Sequence, residues 1–246
     1  PTTIVSNLKD DGYTCIAMHP YYETGWSRNL VYPHIGFDEM HFIDYFDQTK
    51  ILREYITDQE LYDNIIKRYE NRKNNEKLFF MGITMQNHGG YTETYDNFPE
   101  NYYKVGRSYT DANQYLSLVH ESDEAVKNLI SYFSKVDDPV EIIFFGDHQP
   151  SLNSNFYPIL NGKGLTGLTE DELEKLYTVP FFIWTNYDTP EETVDITSLD
   201  YLSTMALERA GIELPAYNKF LADMQEVVPA INSRGYYSKS KGCYLH

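Results

Sequence analysis

The stretch Ile142-Ile143-Phe144-Phe145-Gly146-Asp147-His148-Gln149 decides the fold class of this chain of 246 residues. Its apolar part has no polar interruption, which favours a strand buried on both faces, as in parallel sheets. The glycine allows a sharp turn of the backbone at the end of the strand. Asp147 and His148 follow where the strand would leave the sheet. The stretch therefore predicts a buried parallel strand with a carboxylate and an imidazole at its carboxyl end.

Similar apolar runs occur elsewhere in the chain, and helical patterns lie between them. The predicted strands span residues 14–18, 78–85, 141–145 and 179–184, and the predicted helices span 57–69, 110–133 and 198–210. Parallel neighbours need a crossover connection, and a helix is the usual one. The sequence therefore predicts an α/β fold with a mostly parallel sheet and helices on both faces.

The helical patterns carry signals for their ends and their buried faces. Thr57 and Glu60 have the spacing of a capping box at the start of the first helix. Gly211 follows the third helix and predicts its end. The second helix is expected to bury one apolar face, formed by Val119, Val126, Ile130 and Phe133.

A chain of this length ordinarily forms one α/β domain or two small ones. We find no linker or internal repeat, so residues 1–212 are predicted to form one domain. Residues 213–246 are rich in Tyr and Ser, lack a clear periodic pattern, and are expected to be irregular. They are predicted to be a C-terminal extension or a small subdomain.

Composition excludes several kinds of function. The formal net charge is −17, which repels nucleic acid and anionic lipid headgroups, so no nucleic-acid partner is expected. Two cysteines, Cys15 and Cys243, provide neither a disulfide framework nor a thiolate metal site. No apolar run approaches the ~20 residues that span a bilayer. A phosphate-ester substrate would require placed cations in this acidic chain.

Candidate site residues follow three of the predicted strands. Ligands collect beyond the carboxyl ends of parallel strands, so residues at these points are expected to converge. They are His19 with Trp26 and Arg28 after the first strand, His88 after the second, and Asp147 with His148 after the third.

Each residue type suits a part of phosphate-ester chemistry. Asp147 and His148 are ligands for a divalent cation. Arg28 can grip a phosphate with two hydrogen bonds, and Trp26 can stack on a glycerol or sugar. His88 can bind a phosphate oxygen or protonate an alkoxide. Taken singly, each residue also has a plain structural explanation: a helix-cap Asp beside a surface His, a structural or buried His, a surface Arg, or a core Trp.

The ordered set resembles the lipoteichoic acid synthase and phosphoglycerol transferase family of the sulfatase and alkaline phosphatase superfamily. It comprises His19, Trp26, Arg28, then Asn87-His88, then Gly146-Asp147-His148. The resemblance implies a metal-dependent enzyme at the extracytoplasmic face of a bacterial membrane. In this family a threonine attacks a phosphatidylglycerol-type lipid, and the phosphoglycerol group passes to a glycerol-phosphate polymer or a glycan acceptor.

The resemblance also implies residue roles. By motif position, Asp147 and His148 are metal ligands, His19, Trp26 and Arg28 bind substrate, and His88 transfers protons. One divalent ion is implied, with manganese expected and magnesium or zinc as alternatives. The threonine nucleophile, the remaining acidic ligand, part of the sheet and the membrane helices are expected upstream of Pro1. The chain alone is therefore expected to be inactive and to bind metal weakly.

Other functions stay open from the sequence. A sulfatase or a phosphoethanolamine transferase of the same superfamily would share Asp147 and His148, although the family resemblance of Trp26-Ser27-Arg28 favours phosphoglycerol. A catalytically dead module that binds a glycolipid or a protein in the same cleft is a second class. The sequence does not choose among teichoic acid, capsule and periplasmic glucan as acceptor.

Overall fold

The computed structural model describes residues 3–98 and 109–245, and the chain divides into two compact units. The first unit comprises Pro1–Lys135 and Pro150–Gly164, and the second comprises Val136–Gln149 and Leu165–His246. The elements of the first unit are α1 (Ile4–Asp10), β1 (Tyr13–Met18), α2 (Arg28–Ile35), β2 (Glu39–His41), β3 (Ile51–Leu52), β4 (Tyr55–Ile56), α3 (Asp58–Glu70), β5 (Lys77–Gly82), α4 (Thr110–Phe133) and α5 (Tyr157–Asn161).

A parallel sheet organises the first unit, and this confirms the α/β class. Strand β1 lies in the middle, with β2 on one side and β5 on the other, both parallel to it. Met18 pairs with His41 of β2 and with Gly82 of β5, so the three strands end together. Residues 15–18 are buried, as expected for a central strand. The shared end is where His19 and the segment after β5 begin.

Helices α3 and α4 pack together beside this sheet. The Tyr69 and Phe133 rings lie 5.2 Å apart, and Tyr132 Oη donates a hydrogen bond to Glu70 over 3.0 Å. The bounds of α4 match the predicted 110–133. Its predicted apolar face is wrong at Val119, which is 39% exposed, because Leu118 is the fully buried residue of that turn.

The predicted capping box at the start of α3 is half correct. The Thr57 side chain accepts from the Glu60 backbone N–H over 3.2 Å. The Glu60 carboxylate accepts from the Asp47 backbone N–H and from Asn64 Nδ2 instead of returning to Thr57. These partners lie outside the local motif, so a spacing rule could not anticipate them.

The second unit is built on an antiparallel pair of strands. Its elements are β6 (Glu141–Phe145), α6 (Glu170–Glu174), β7 (Phe181–Thr185), α7 (Leu202–Arg209), α8 (Ala216–Gln225), β8 (Ala230–Ile231), β9 (Tyr236–Ser238) and β10 (Cys243–Leu245). Ile143 pairs with Ile183, and the Phe144 and Phe182 rings stack at 5.4 Å. The expectation that these strands are parallel is wrong for this pair, because an apolar run indicates burial but not strand direction.

The prediction of an irregular tail is also wrong. Residues 213–246 contain α8 and a three-stranded antiparallel sheet in the order β10-β9-β8. Tyr201 Oη, on a buried side chain, donates to the Val228 carbonyl over 2.6 Å, and Ser198 Oγ donates to the Ile231 carbonyl over 2.8 Å. Strands of two or three residues are too short for an alternating pattern, so the sequence does not show them.

Within residues 3–98 and 109–245, no helix is both long and apolar enough to cross a membrane. The structure does not test the assignment of residues 1–212 to one domain, and that assignment stays a prediction.

Candidate functional site

His19 occupies the first position after β1. Its backbone N–H donates to the His41 carbonyl over 2.9 Å, and the Ile83 N–H donates to the Met18 carbonyl over 2.9 Å. These bonds extend the sheet by one step on each side. The His19 ring Nδ1 lies 2.9 Å from the Ile83 carbonyl oxygen. The residue is thus fixed at the carboxyl edge of the sheet by both its backbone and its side chain.

The protonation state of His19 follows from these contacts. A carbonyl oxygen can only accept, so Nδ1 carries the proton and Nε2 has the lone pair. Burial lowers the pKa of His19 from 6.5 to about 4, so the ring is neutral at pH 7. Nε2 is buried and has no hydrogen-bond partner among the described residues. His19 therefore presents an unused acceptor.

Trp26 lies in the segment between β1 and α2, and Arg28 is the first residue of α2. Trp26 and Ser27 have φ values of 53° and 57°, a left-handed conformation that non-glycine residues adopt infrequently. The Trp26 ring is 58% exposed, and the Arg28 guanidinium carbon lies 4.3 Å from its centroid. Arg28 Nε donates to Tyr32 Oη over 2.9 Å, and Nη1 donates to the Gly25 carbonyl over 3.2 Å. Neither acceptor is a carboxylate.

His88 reaches the same place from the segment after β5. Its ring lies 6.1 Å from the Trp26 ring and 5.6 Å from the Tyr55 ring. Nδ1 is 2.9 Å from the Gly89 carbonyl oxygen and 3.3 Å from Tyr55 Oη. The bond to the carbonyl puts the proton on Nδ1 of the neutral ring, which leaves the Nε2 lone pair for a ligand or a proton. The residue is exposed.

The structure therefore brings together four of the six predicted site residues. The His19 and Trp26 rings are 5.9 Å apart, and Trp26 contacts both Arg28 and His88. We call His19, Trp26, Arg28 and His88 the headgroup cluster, after the lipid headgroup that the family resemblance of the sequence leads us to expect as their ligand. Convergence at the carboxyl edge of a parallel sheet was the sequence-based prediction for these residues, whose individual roles stay predictions.

Sequence reasoning missed two tyrosines beside the cluster. The Tyr21 ring lies 6.0 Å from His19, 5.9 Å from Trp26 and 6.4 Å from Tyr55. Its place two residues after His19 was a usable signal. Tyr55 is far from the other motifs in sequence, and nothing local marks it.

A buried polar network supports the backbone that carries His88. Asp58 is 2% exposed, and its Oδ2 accepts from Ser122 Oγ over 2.5 Å. Ser122 Oγ in turn accepts from Asn87 Nδ2 over 2.9 Å. Burial raises the pKa of Asp58 from 3.8 to about 6. Asn87 therefore points into the protein, and His88 is the member of the Asn87-His88 pair that faces outward.

Asp147 and His148 belong to the second unit, which is described separately. They follow β6, and their side chains are 84% and 76% exposed. Asp147 Oδ2 lies 3.6 Å from His148 Nε2, while Oδ1 accepts from the His148 backbone N–H over 2.8 Å. Two donors of suitable chemistry thus stand side by side. A catalytic metal site usually has three or more protein ligands, and no group of three candidate ligands occurs in the described part of the chain.

Comparison with known proteins gives a family and several relatives. The Sulfatase family matches residues 1–212. A putative cyclic beta-1,2-glucan modification protein of Rhizobium meliloti is 26% identical over 232 residues, which cover 91% of this chain and 36% of that protein. A lipoteichoic acid synthase of Staphylococcus saprophyticus is 27% identical over 145 residues, which cover 57% of this chain and 22% of that protein. The chain thus spans well under half the length of these relatives.

Solved structures show the same fold. The phosphoglycerol transferase GacH of Streptococcus pyogenes, in complex with sn-glycerol-1-phosphate, matches with a TM-score of 0.71 and 22% identity over 90% of this chain and 56% of that one. The C-terminal periplasmic domain of EcEptC from Escherichia coli, in complex with Zn, matches with a TM-score of 0.57 and 19% identity over 88% and 63%. Members of the sulfatase and alkaline phosphatase superfamily are metal-dependent. With residues 1–212 covered by the family match, the chain belongs to the sulfatase family.

Proposed function

We propose that this chain is the headgroup-binding part of a phosphoglycerol transferase that acts on a phosphatidylglycerol-type lipid. The observation that carries the proposal is the headgroup cluster. It combines an arginine that has no carboxylate partner among the described residues, an exposed indole ring and two imidazoles at one edge of the sheet. The similarity to proteins named lipoteichoic acid synthase and phosphoglycerol transferase supports the same substrate class.

The cluster suits the two chemical parts of a phosphoglycerol group. Arg28 keeps Nη2 free of hydrogen bonds to described residues and can donate both of its protons to phosphate oxygens. His19 Nε2 is an acceptor only, so it suits a glycerol hydroxyl and not a phosphate oxygen. The Trp26 ring provides an apolar face for the glycerol carbons. Phosphate and glycerol are therefore recognised by different residues.

In this proposal His88 moves the proton that phosphoryl transfer requires. When the bond from phosphorus to the lipid glycerol oxygen breaks, the leaving alkoxide needs a proton. A protonated Nε2 can supply it, and the neutral ring can then take a proton from the hydroxyl of the acceptor. The Nδ1–H bond to the Gly89 carbonyl holds the ring in the orientation that leaves Nε2 exposed for both steps.

We further propose that Asp147 and His148 bind one divalent cation, with manganese the expected metal and magnesium or zinc the alternatives. Such an ion would polarise the phosphoryl oxygens and stabilise the charge that develops on them. The two residues supply part of a coordination shell, and the proposal assigns the remaining ligands and the nucleophile to parts of the whole protein outside these residues. The whole protein would act at the extracytoplasmic face of a bacterial membrane, with a glycerol-phosphate polymer or a glycan as acceptor.

Binding of sn-glycerol-1-phosphate tests the headgroup cluster. The chain contains two tryptophans, so Trp184→Phe leaves Trp26 as the single indole reporter. We expect titration with sn-glycerol-1-phosphate to change Trp26 fluorescence saturably. Arg28→Gln should weaken binding about 10- to 100-fold, because charge-assisted hydrogen bonds contribute roughly 1.5–3 kcal/mol.

Arg72→Gln is the matched control, since its guanidinium carbon lies 3.9 Å from the Tyr69 ring, in the same kind of contact outside the cluster. Equal affinity of the two variants, or no saturable change in the parent protein, would contradict the proposal. Tighter binding of sulfate or phosphoethanolamine would favour the other two enzyme classes. In the whole protein, Arg28→Gln should also lower transfer of phosphoglycerol; ligand binding without any transfer by the unsubstituted protein would indicate a binding module.

A further inference from the structure

Arg53 is a buried arginine next to the headgroup cluster that none of the motifs includes. It is 4% exposed. Its Nη2 donates to the carbonyls of Gln86 over 2.8 Å and His88 over 2.7 Å. Its Nη1 donates to the Gly90 carbonyl over 2.9 Å and to Gln114 Oε1 over 3.1 Å. Three of these four acceptors are backbone carbonyls of one short segment, and His88 is its middle residue.

The backbone around Arg53 directs this side chain toward the segment that carries His88. Arg53 joins β3 to β4 and has a φ of 55°, a left-handed conformation that costs free energy for a residue with a Cβ. Asn97 Nδ2 donates to the Arg53 carbonyl over 3.1 Å. Two residues later, Tyr55 places its ring 5.6 Å from the His88 ring. The β3–β4 hairpin thus contacts both the backbone and the side chain of His88.

The partners of Arg53 distinguish it from an arginine that only joins elements of the fold. Arg68 is also largely buried, but its guanidinium donates to the carboxylates of Glu39 and Glu76. Arg53 has no carboxylate partner among the described residues, and the rings of Tyr55, Tyr91 and Tyr95 surround its guanidinium carbon at 5.5–5.9 Å. A buried cation held by carbonyl dipoles fixes the direction of those carbonyls.

We propose that Arg53 is a positioning residue for His88. Arg53 binds the carbonyl of His88 and the carbonyls of Gln86 and Gly90 on either side. These bonds fix the orientation in which the His88 ring meets the rings of Trp26 and Tyr55. The inference rests on the proposed function, in which His88 moves the proton. Lysine cannot replace arginine here, because one ammonium group lacks the planar fork that reaches three carbonyls at once.

The test compares Arg53→Lys with Arg68→Lys by proton–carbon NMR of the imidazole groups. The chain has seven histidines, and His88→Gln identifies the His88 resonances by their loss. The nearby rings of Trp26 and Tyr55 should shift the His88 resonances from the values of a free imidazole. Arg53→Lys should move them toward the free values, while Arg68→Lys, which also weakens the fold, should leave them in place.

Affinity for sn-glycerol-1-phosphate gives a second result. We expect Arg53→Lys to weaken binding about tenfold, the effect of losing one well-placed hydrogen bond, and Arg68→Lys to leave affinity unchanged. If Arg53→Lys does not fold, NMR of the Arg53 guanidinium in the wild-type protein tests the inference instead. A guanidinium held by the three carbonyls should give separate, slowly exchanging Nη proton signals that are close in space to residues 86–90. One averaged Nη signal would overturn the inference. Equal shifts of His88 in both variants, or none in Arg53→Lys, also overturn it. The NMR result needs no ligand, so failure of wild-type binding would refute the proposed function and not the role of Arg53.

Discussion

His19 should make the stability of the first unit depend strongly on pH, and His19→Asn should remove that dependence. The His19 ring is 1% exposed and donates through Nδ1 to the Ile83 carbonyl over 2.9 Å. An asparagine amide can donate to the same carbonyl from nearly the same position, but it does not titrate. The substitution therefore removes the ionisation of His19 and keeps its hydrogen bond.

The size of the effect follows from the two protonation equilibria. The pKa of His19 is about 4 in the folded protein, against an ordinary value of 6.5. Between these values the unfolded chain binds more protons than the folded one, so stability rises with pH. The contribution of His19 to the unfolding free energy is fully present above pH 6.5. It is lower by about 2 kcal/mol at pH 5 and by about 3 kcal/mol at pH 4.

Urea unfolding at a series of pH values between 4 and 7.5 measures this directly. The Trp184→Phe background leaves Trp26, in the first unit, as the fluorescent probe. The difference in unfolding free energy between the parent protein and its His19→Asn variant should change in favour of the parent by about 2 kcal/mol from pH 5 to pH 7.5. Other titrating groups cancel in this difference, because both proteins contain them.

Parallel stability curves for the two proteins would refute the reasoning. They would mean that His19 titrates alike in the folded and unfolded chains, and hence that water reaches Nε2. The description of Nε2 as a buried acceptor without a hydrogen-bond partner would then be wrong, while the role of Arg28 would be unaffected.

Further predictions concern carboxylates in each unit. The pKa of Asp58 is about 6, above its ordinary 3.8. The contribution of this carboxyl group to the unfolding free energy should therefore fall by about 2 kcal/mol as pH rises from 4 to 6. Asp58→Asn should remove this loss, as measured by urea unfolding over the same pH values. Burial likewise raises the pKa of Glu141 to about 7. Glu141→Gln should therefore raise the unfolding free energy by about 1 kcal/mol at pH 8 and by little at pH 5, measured by calorimetry. Equal gains at both pH values would contradict a raised pKa of Glu141. Mn²⁺ titration should show weak binding to this chain and tight binding to the whole protein, lost in Asp147→Ala; binding indifferent to Asp147 would exclude the proposed metal ligand.

Local sequence signals predicted those parts of the fold and site that depend on local chemistry. Apolar runs located β1, β5, β6 and β7 but none of the shorter strands. Thr57 located the start of α3, and the ends of β1 and β5 located His19 and His88. The antiparallel direction of β7 was not visible, because direction depends on which strand it pairs with and not on its own residues. Arg53 was not visible either, since its role comes from carbonyls more than thirty residues away in the chain.

The charge of the protein clarifies why Arg28, in the headgroup cluster, and Arg53, next to it, matter. The chain carries a formal net charge of −17, and Arg68 and Arg234 are neutralised by pairs of glutamates. Arg28 and Arg53, by contrast, donate to carbonyl, hydroxyl and amide oxygens among the described residues, so their positive charge is not cancelled by a bonded carboxylate. In the proposed function, Arg28 in the headgroup cluster and Arg53 at the backbone of His88 create a local site for an anion on a surface that otherwise repels one. In that proposal the attraction is confined to the headgroup cluster, so the cluster itself, and not the general charge of the protein, would select an anionic headgroup.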